Sequence, residues 1–304
     1  MPEIKLTVDE ENADLRLDVY LSENTPLSRN AIQKLIEKGD VKVNGKTCNK
    51  KSKTELADEI VFAYEEKTLT DIKPQKMNLD IVYEDEDLIV INKPKGIVVH
   101  PAVGNPDNTL VNGLLYHCKE LSDINGYYRP GIVHRIDKDT SGLLVAAKNN
   151  FTHNFLSEQL KDKNCYRKYY AIVNGIVANN EGQIDAPIGR NEKNRQQMCV
   201  TSKNSKEAVT IFKVLERYAD STLLDVELKT GRTHQIRVHM QYIGHSVFND
   251  GRYARKQIDA SGQYLHAYFL SFIHPRTLKR MDFQTEMPDY MKEYILSKGG
   301  SYGC

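Results

Sequence analysis

The chain has 304 residues, 40% of them hydrophobic and 27% charged, with a formal net charge of +1. That balance describes a soluble globular protein long enough for two domains, and apolar runs such as residues 143–147 are far too short to span a bilayer. The opening Met1-Pro-Glu-Ile-Lys lacks the apolar core of a secretory leader, and the five scattered cysteines never form a Cys-x-x-Cys pair. Together these point to reduced thiols and a cytoplasmic location, and away from a disulfide framework or a zinc site.

Residues 15–64 read as a compact unit. Leu15-Arg-Leu-Asp-Val-Tyr-Leu has the pattern of a short amphipathic helix. Ser28 is placed to cap a second helix over Arg29–Lys38, whose Ile32, Leu35 and Ile36 recur at helical spacing before Gly39 ends it. Val41-Lys-Val-Asn-Gly-Lys is an alternating strand entering an Asn-Gly turn, and residues 59–64 supply a further strand. Between Ser28 and Lys53, eight basic side chains stand against two acidic ones, while the flanking stretches are acidic. Such a face, with Arg29, Lys42 and Lys46 on it, suits phosphate binding, although a lysine-rich solvated surface is the plainer reading. The expected division is a first domain over residues 1–70, a polar linker at 71–78 and a second domain over 79–304.

In the second domain, strands are expected at 79–82, 88–92, 169–173, 209–214 and 223–228, and a helix at 151–161. No regular strand–helix alternation occurs, so the expected class is α+β with a mixed, mainly antiparallel sheet. Four segments place polar, titratable groups beside apolar strands or turns. They are Asn92-Lys-Pro-Lys-Gly-Ile-Val-Val-His-Pro, His134-Arg-Ile-Asp-Lys-Asp-Thr-Ser-Gly-Leu-Leu-Val, Tyr169-Tyr-Ala-Ile-Val-Asn-Gly and Gly231-Arg-Thr-His-Gln-Ile-Arg-Val-His. His134-Arg-Ile-Asp is like a kinase catalytic loop, but no glycine-rich loop or Asp-Phe-Gly accompanies it. His234, His239 and His245 lie close together without a His-Glu-x-x-His motif, so no metal is expected.

Taken together, the four segments resemble the RluA family of pseudouridine synthases, and His134-Arg-Ile-Asp-x-x-Thr-Ser-Gly is their most specific signature. Within the family the likeness is strongest to members that act on the large ribosomal subunit. It extends from residue 15 through Leu265-His-Ala and His274-Pro-Arg-Thr. Arg16-Leu-Asp, Ser28-Arg29, Leu35-Ile36, Gly39 and Val43-Asn-Gly resemble an alpha-L RNA-binding domain. That module usually has Gly-Asp where this chain has Ala57-Asp58, and relatives carry Gly-His-Pro and Gly-Asp where it has Gly244-His-Ser-Val-Phe-Asn-Asp. The second departure is read as a matter of loop shape, away from the catalytic segments.

The resemblance implies a pseudouridine synthase fold and isomerisation of uridine, which moves no electrons or phosphates and so needs no cofactor. It also implies a catalytic carboxylate at Asp137, acting as nucleophile or base; an arginine, Arg237, paired with it; and a uracil-stacking tyrosine, Tyr169. Arg135 is implied to fill the space left by a base drawn from its helix. Arg232 and His234 are candidates for RNA contact or for local hydrogen bonding, and Lys93 and Lys95 for phosphate contacts or solvated turns. The expected partner is ribosomal RNA or a ribosomal precursor particle, engaged by a monomer; a transfer RNA target and a non-catalytic assembly factor remain the alternatives.

Overall fold

The computed structural model describes residues 3–10, 12–25, 27, 29–49, 51–63, 72–102, 104–126, 129–255 and 257–302. The expected cap Ser28, the lysine at 50 and Cys304 fall outside them. The chain divides into two compact units, residues 1–71 and 72–304.

The first unit runs β1 (Glu3–Thr7), α1 (Leu17–Asn24), α2 (Arg29–Lys38), β2 (Val41–Val43), β3 (Lys46–Thr47) and β4 (Glu59–Ala63), with an antiparallel sheet in the order β1-β4-β2-β3. The helix α2 spans the predicted residues because Ile32 and Ile36 lie one turn apart and are both buried against Leu17, Leu21 and Phe62. Asn44 and Gly45 both have left-handed backbone angles (φ 51° and 78°), the conformation that a tight hairpin turn demands. The strand β1 was not foreseen; it pairs with β4.

The second unit runs β5 (Ile81–Glu84), β6 (Leu88–Lys93), α3 (Leu110–His117), β7 (Ser141–Ala147), α4 (Asn150–Lys161), β8 (Tyr166–Asn174), β9 (Glu181–Asp185), β10 (Ile188–Arg190), β11 (Met198–Val200), β12 (Val209–Arg217), β13 (Ser221–Leu228), α5 (Gln235–Tyr242), β14 (Leu265–Ile273), β15 (Arg280–Gln284) and α6 (Asp289–Ser297). Its nine-stranded sheet has the order β5-β6-β7-β14-β8-β13-β12-β9, with β15 also on β14. Every strand pair in it is antiparallel except β7 with β14, so the mixed, mainly antiparallel sheet expected from sequence is what forms.

The central strand β7 is buried at all seven positions. Leu144 and Ala146 enter the core on one face, and Leu143 and Val145 a separate core on the other, which is why its sequence is apolar without alternation. Residues 72–78, expected to be part of a free linker, instead belong to this unit. Ile72 is buried, the Gln75 backbone N–H donates to the Asn112 carbonyl at 2.9 Å, and Asn112 Nδ2 donates to the Lys73 carbonyl at 2.9 Å. The polar composition resembled a tether, but two of its backbone groups, at Lys73 and Gln75, are satisfied on α3.

Candidate active site

The loop between residues 134 and 140 leads into β7 and is held from several sides. Its turn closes with the Thr140 N–H on the Asp137 carbonyl at 3.1 Å, and the Lys138 carbonyl accepts from the Gly96 N–H at 3.0 Å. Gln263 Nε2 donates to Thr140 Oγ1 at 3.0 Å. Gly142 of the signature pairs with Ala267 across the parallel β7–β14 junction; a Cβ there would collide with the Ala267 backbone, and its φ of 112° disfavours any side chain. Lys93, open in sequence between phosphate contact and solvated turn, is neither. Its ammonium is fully buried and donates to the carbonyls of Pro94, Ile97 and Lys138 at 2.8, 2.9 and 3.0 Å. Burial lowers its pKa to about 7, against the pull of Asp139 and Asp137. Lys95, the other turn lysine, lies 3.8 Å from the Tyr290 ring centroid and 4.8 Å from that of Tyr264.

The helix α5 brings Arg237 to this loop. Gln235 fixes its start, its side-chain oxygen accepting from Thr230 Oγ1 at 2.8 Å and the Arg232 N–H at 2.9 Å. His234, just before the helix, adopts a left-handed φ of 58°. Ile236 and Met240 enter one core and Val238 another, leaving Arg237 aimed between. Arg237 Nη1 donates to Asp137 Oδ2 at 2.8 Å, while Nε and Nη2 donate to the two oxygens of Asp250 at 2.7 and 2.8 Å. Tyr253 covers the guanidinium, its ring centroid 5.0 Å away, and its hydroxyl meets His234 Nδ1 at 2.7 Å.

Asp250 was not anticipated. It belongs to the segment that departs from the family pattern, which was read as lying off the catalytic residues; its direct hold on Arg237 corrects that reading. The departure itself is accommodated, because Asn249 takes the left-handed conformation (φ 57°) that glycine would supply, as asparagine readily does. Its amide also ties Asp259, Ser261 and Gly262 at 2.8–3.1 Å.

Burial raises the pKa of Asp137, but the surrounding cations outweigh it and hold the carboxyl below its ordinary 3.8. His234 Nε2 lies 3.9 Å from Asp137 Oδ1, yet burial also lowers the histidine pKa. Arg237 is the cation in hydrogen-bond contact with the carboxylate, and Arg135 adds to the same pull. Burial works against the charge on Arg237, and Asp250 and Asp137 more than restore it. Tyr169 lines the same cleft as Asp137, Arg135, Arg232 and His234, whereas the adjoining Tyr170 stacks on Tyr268 at 3.9 Å within a different cluster. Strand alternation in β8 decides which tyrosine faces the site. Burial pushes the Tyr169 phenol up to about 12, with Asp137 adding to the shift, so it stays protonated.

In the first unit, Lys42 and Lys46 are exposed on the hairpin. Arg29 is engaged on Asp18, donating at 2.9 and 3.2 Å, with about half its side chain exposed. Among the described residues, Asp85, Asp87 and His274 form the one grouping with the spacing of metal ligands. Their oxygens already accept from Tyr83, Arg276 and Asn149 at 2.8, 2.5 and 2.8 Å, and His274 Nε2 meets Asp85 at 2.8 Å, which makes the group a hydrogen-bonded brace.

Residues 87–242 match the RNA pseudouridylate synthase family, and residues 15–60 match the S4 domain. The RNA pseudouridine synthase YlyB of Bacillus subtilis is 49% identical, over 99% of this chain and all of its own length. The ribosomal large subunit pseudouridine synthase D of Zymomonas mobilis is 43% identical over 96% of each chain, in keeping with the likeness expected from sequence. Among solved structures, the human RNA pseudouridylate synthase domain containing 1 superposes with a TM-score of 0.57 at 28% identity, covering 68% of this chain and 83% of its own. No helix of the described residues is long and apolar enough to cross a membrane. On its matched residues, its relatives and its fold, the chain belongs to the RNA pseudouridylate synthase family and is an isomerase that converts uridine to pseudouridine.

Proposed function

We propose that this chain modifies uridines of the large-subunit ribosomal RNA, with Asp137 as the catalytic carboxylate and Tyr169 and Arg237 completing the site. The target class rests on relatives named for the ribosomal large subunit at 39–44% identity over nearly the whole chain. The observation that carries the catalytic assignment is the uneven use of the Asp137 oxygens. Oδ2 is fixed by Arg237, which the two oxygens of Asp250 hold in turn, while Oδ1 has, among the described residues, only a 3.9 Å approach from His234. An ionised, aimed carboxylate with one unspent oxygen in a cleft suits attack on the reacting nucleoside or removal of a proton from it. Tyr169, neutral and beside it, offers a flat ring against which a uracil can stack. Arg135 takes the place of the displaced base, and the S4 domain, through Lys42 and Lys46, adds affinity for the surrounding RNA.

The test is Asp137→Asn, which keeps the shape and removes the charge. Release of tritium from RNA labelled at uracil carbon 5 should fall by roughly a thousandfold or more, with RNA binding retained. Activity within tenfold of wild type would overturn the assignment. Chemical mapping of pseudouridine in total RNA, with and without the gene, decides the target: loss of sites in transfer RNA alone would overturn the ribosomal reading.

A further inference from the structure

Four buried side-chain polar atoms lack a hydrogen-bond partner among the described residues, and three of them belong to residues that line one trough beside the active-site cleft: His100 Nδ1, His134 Nδ1 and Arg167 Nε. All three are donors. His134 Nε2 accepts from the Val145 N–H at 3.2 Å, which puts the ring proton on Nδ1. His100 Nε2 faces Arg135 Nη1 at 3.5 Å, and because a guanidinium only donates, His100 also carries its proton on Nδ1. Burial, reinforced by neighbouring arginines, lowers the pKa values to about 4 for His100 and about 3 for His134, so both rings are neutral donors.

Charge comes from Arg167. Its side chain, on β8, belongs to a residue only 8% exposed, and it faces both the trough and the cleft of Asp137. Glu207, the one carboxylate among the described residues lining the trough, is bonded to Lys163 at 3.3 Å. Arg129, Arg135, Lys161, Lys229 and Arg232 add further positive charge to a lining that also holds polar and apolar side chains. Burying a guanidinium without an anion is strongly unfavourable, more so than an unmet neutral donor. Gly231 makes room for it: a Cβ there would lie 2.7 Å from Arg167 Nη1.

We propose that Arg167, in the trough it shares with His100 and His134, receives phosphodiester oxygens of the RNA strand that carries the target uridine. This makes Arg167 a positioning residue that registers the strand against Asp137, and it rests on the reading of Asp137 as the catalytic carboxylate. Direct base recognition fits the trough less well, since base edges alternate donors with acceptors and these orphaned groups are donors only.

The experiment measures tritium release against RNA concentration for wild type, Arg167→Gln, Arg167→Lys and Gly231→Ala. Affinity is measured separately against salt, each change being combined with Asp137→Asn to prevent turnover. Arg167→Gln should raise KM at least tenfold, by more than any fall in kcat, and should reduce the slope of log affinity against log salt by about 0.7, the contribution of one phosphate contact on a single strand. Arg167→Lys should recover the slope but only part of KM, because an ammonium lacks the planar fork. Gly231→Ala should raise KM with the charge still present, and serves if Arg167→Gln does not fold. Unchanged KM and salt slope in folded Arg167→Gln would overturn the proposal, as would loss of kcat at unchanged KM. Turnover by Asp137→Asn would overturn only the catalytic reading, since the strand contact is read from affinity.

Discussion

In the S4 domain a carboxylate is the buried hub of an ion cluster, whereas at the candidate active site an arginine is. Asp18 has no exposed side-chain surface and takes donors from Arg16, Arg29 and Gln33, the two arginines remaining 45% and 48% exposed. Arg237 is 8% exposed and is held between Asp250, fully buried, and Asp137, 17% exposed. The pairing chemistry is the same and the outcome differs, because every Asp18 oxygen is spent while Asp137 keeps one for the cleft. Unspent acceptor capacity, more than the presence of an ion pair, separates a carboxylate that can react from one that braces a fold.

The largest effect should come from breaking the active-site hub at its inner end. Asp250→Ala leaves a buried guanidinium with a single partner, and the second domain should lose about 3–5 kcal/mol, read by urea unfolding of the full chain. Asp137→Asn, at the outer end, should stay within about 1 kcal/mol of wild type while turnover collapses. Equal destabilisation by the two would mean that Asp137 is a brace like Asp18.

The S4 hub should respond next. Burial raises the pKa of Asp18, but hydrogen bonds from Arg29, Arg16 and Gln33 carry it well below its ordinary 3.8. A depressed carboxylate contributes stability that is complete above that ordinary value and is lost as pH falls below it toward the folded one. Asp18→Asn should therefore cost the S4 domain roughly 2–3 kcal/mol at neutral pH. It should also flatten the acid limb of unfolding below about pH 4. An acid limb identical to wild type would show that the cluster does not drive it.

Loss of surface charge should be gentler still and should fall on binding. Replacing Lys42, Lys46 and Lys51 with glutamine should raise KM for RNA and lower the salt slope by about 0.7 for each phosphate contact removed. Turnover at saturating RNA should change little. Lost turnover at unchanged affinity would mean that the S4 domain shapes the active site.

What was legible in sequence follows from how local its cause is. Asp137, Tyr169 and Arg237 each sit in a segment whose pattern is contiguous, so each could be named as a candidate from sequence, and all three line one cleft. Asp250 did not declare itself, since its partner Arg237 is 13 positions away and only the return of the chain after α5 joins them. Lys93 was misread because a charged residue next to a proline turn normally faces water; three carbonyls from two separate segments keep it inside. The trough of His100, His134 and Arg167 likewise has no local signature, as its donors come from segments brought together only by the sheet. The strand β1 was hidden because it finds its partner in β4, more than fifty residues on.

The smallest expected effect comes from the one place where the S4 domain departs from its usual Gly-Asp. Ala57 adopts a left-handed φ of 65°, so the turn before β4 keeps its sharp form at the expense of strain on an L side chain. The turn is tied on both sides, by the Ala57 N–H on the Val8 carbonyl at 2.9 Å and the Asp58 N–H on the Glu55 carbonyl at 3.1 Å. These bonds explain how the strain is tolerated, and they would persist in Ala57→Gly. Relief of the left-handed penalty is about 1–2 kcal/mol, and the added freedom of glycine in the unfolded chain cancels roughly half of it. The net gain should be about 0.5–1 kcal/mol. Hydrogen exchange of the S4 amides in the full chain measures it, because this domain's opening is read there separately from the second domain. Slower exchange confined to the S4 amides is the expected result. Unchanged or faster exchange would mean that the bonds to Val8 and Glu55, rather than the residue at 57, set the cost of this turn.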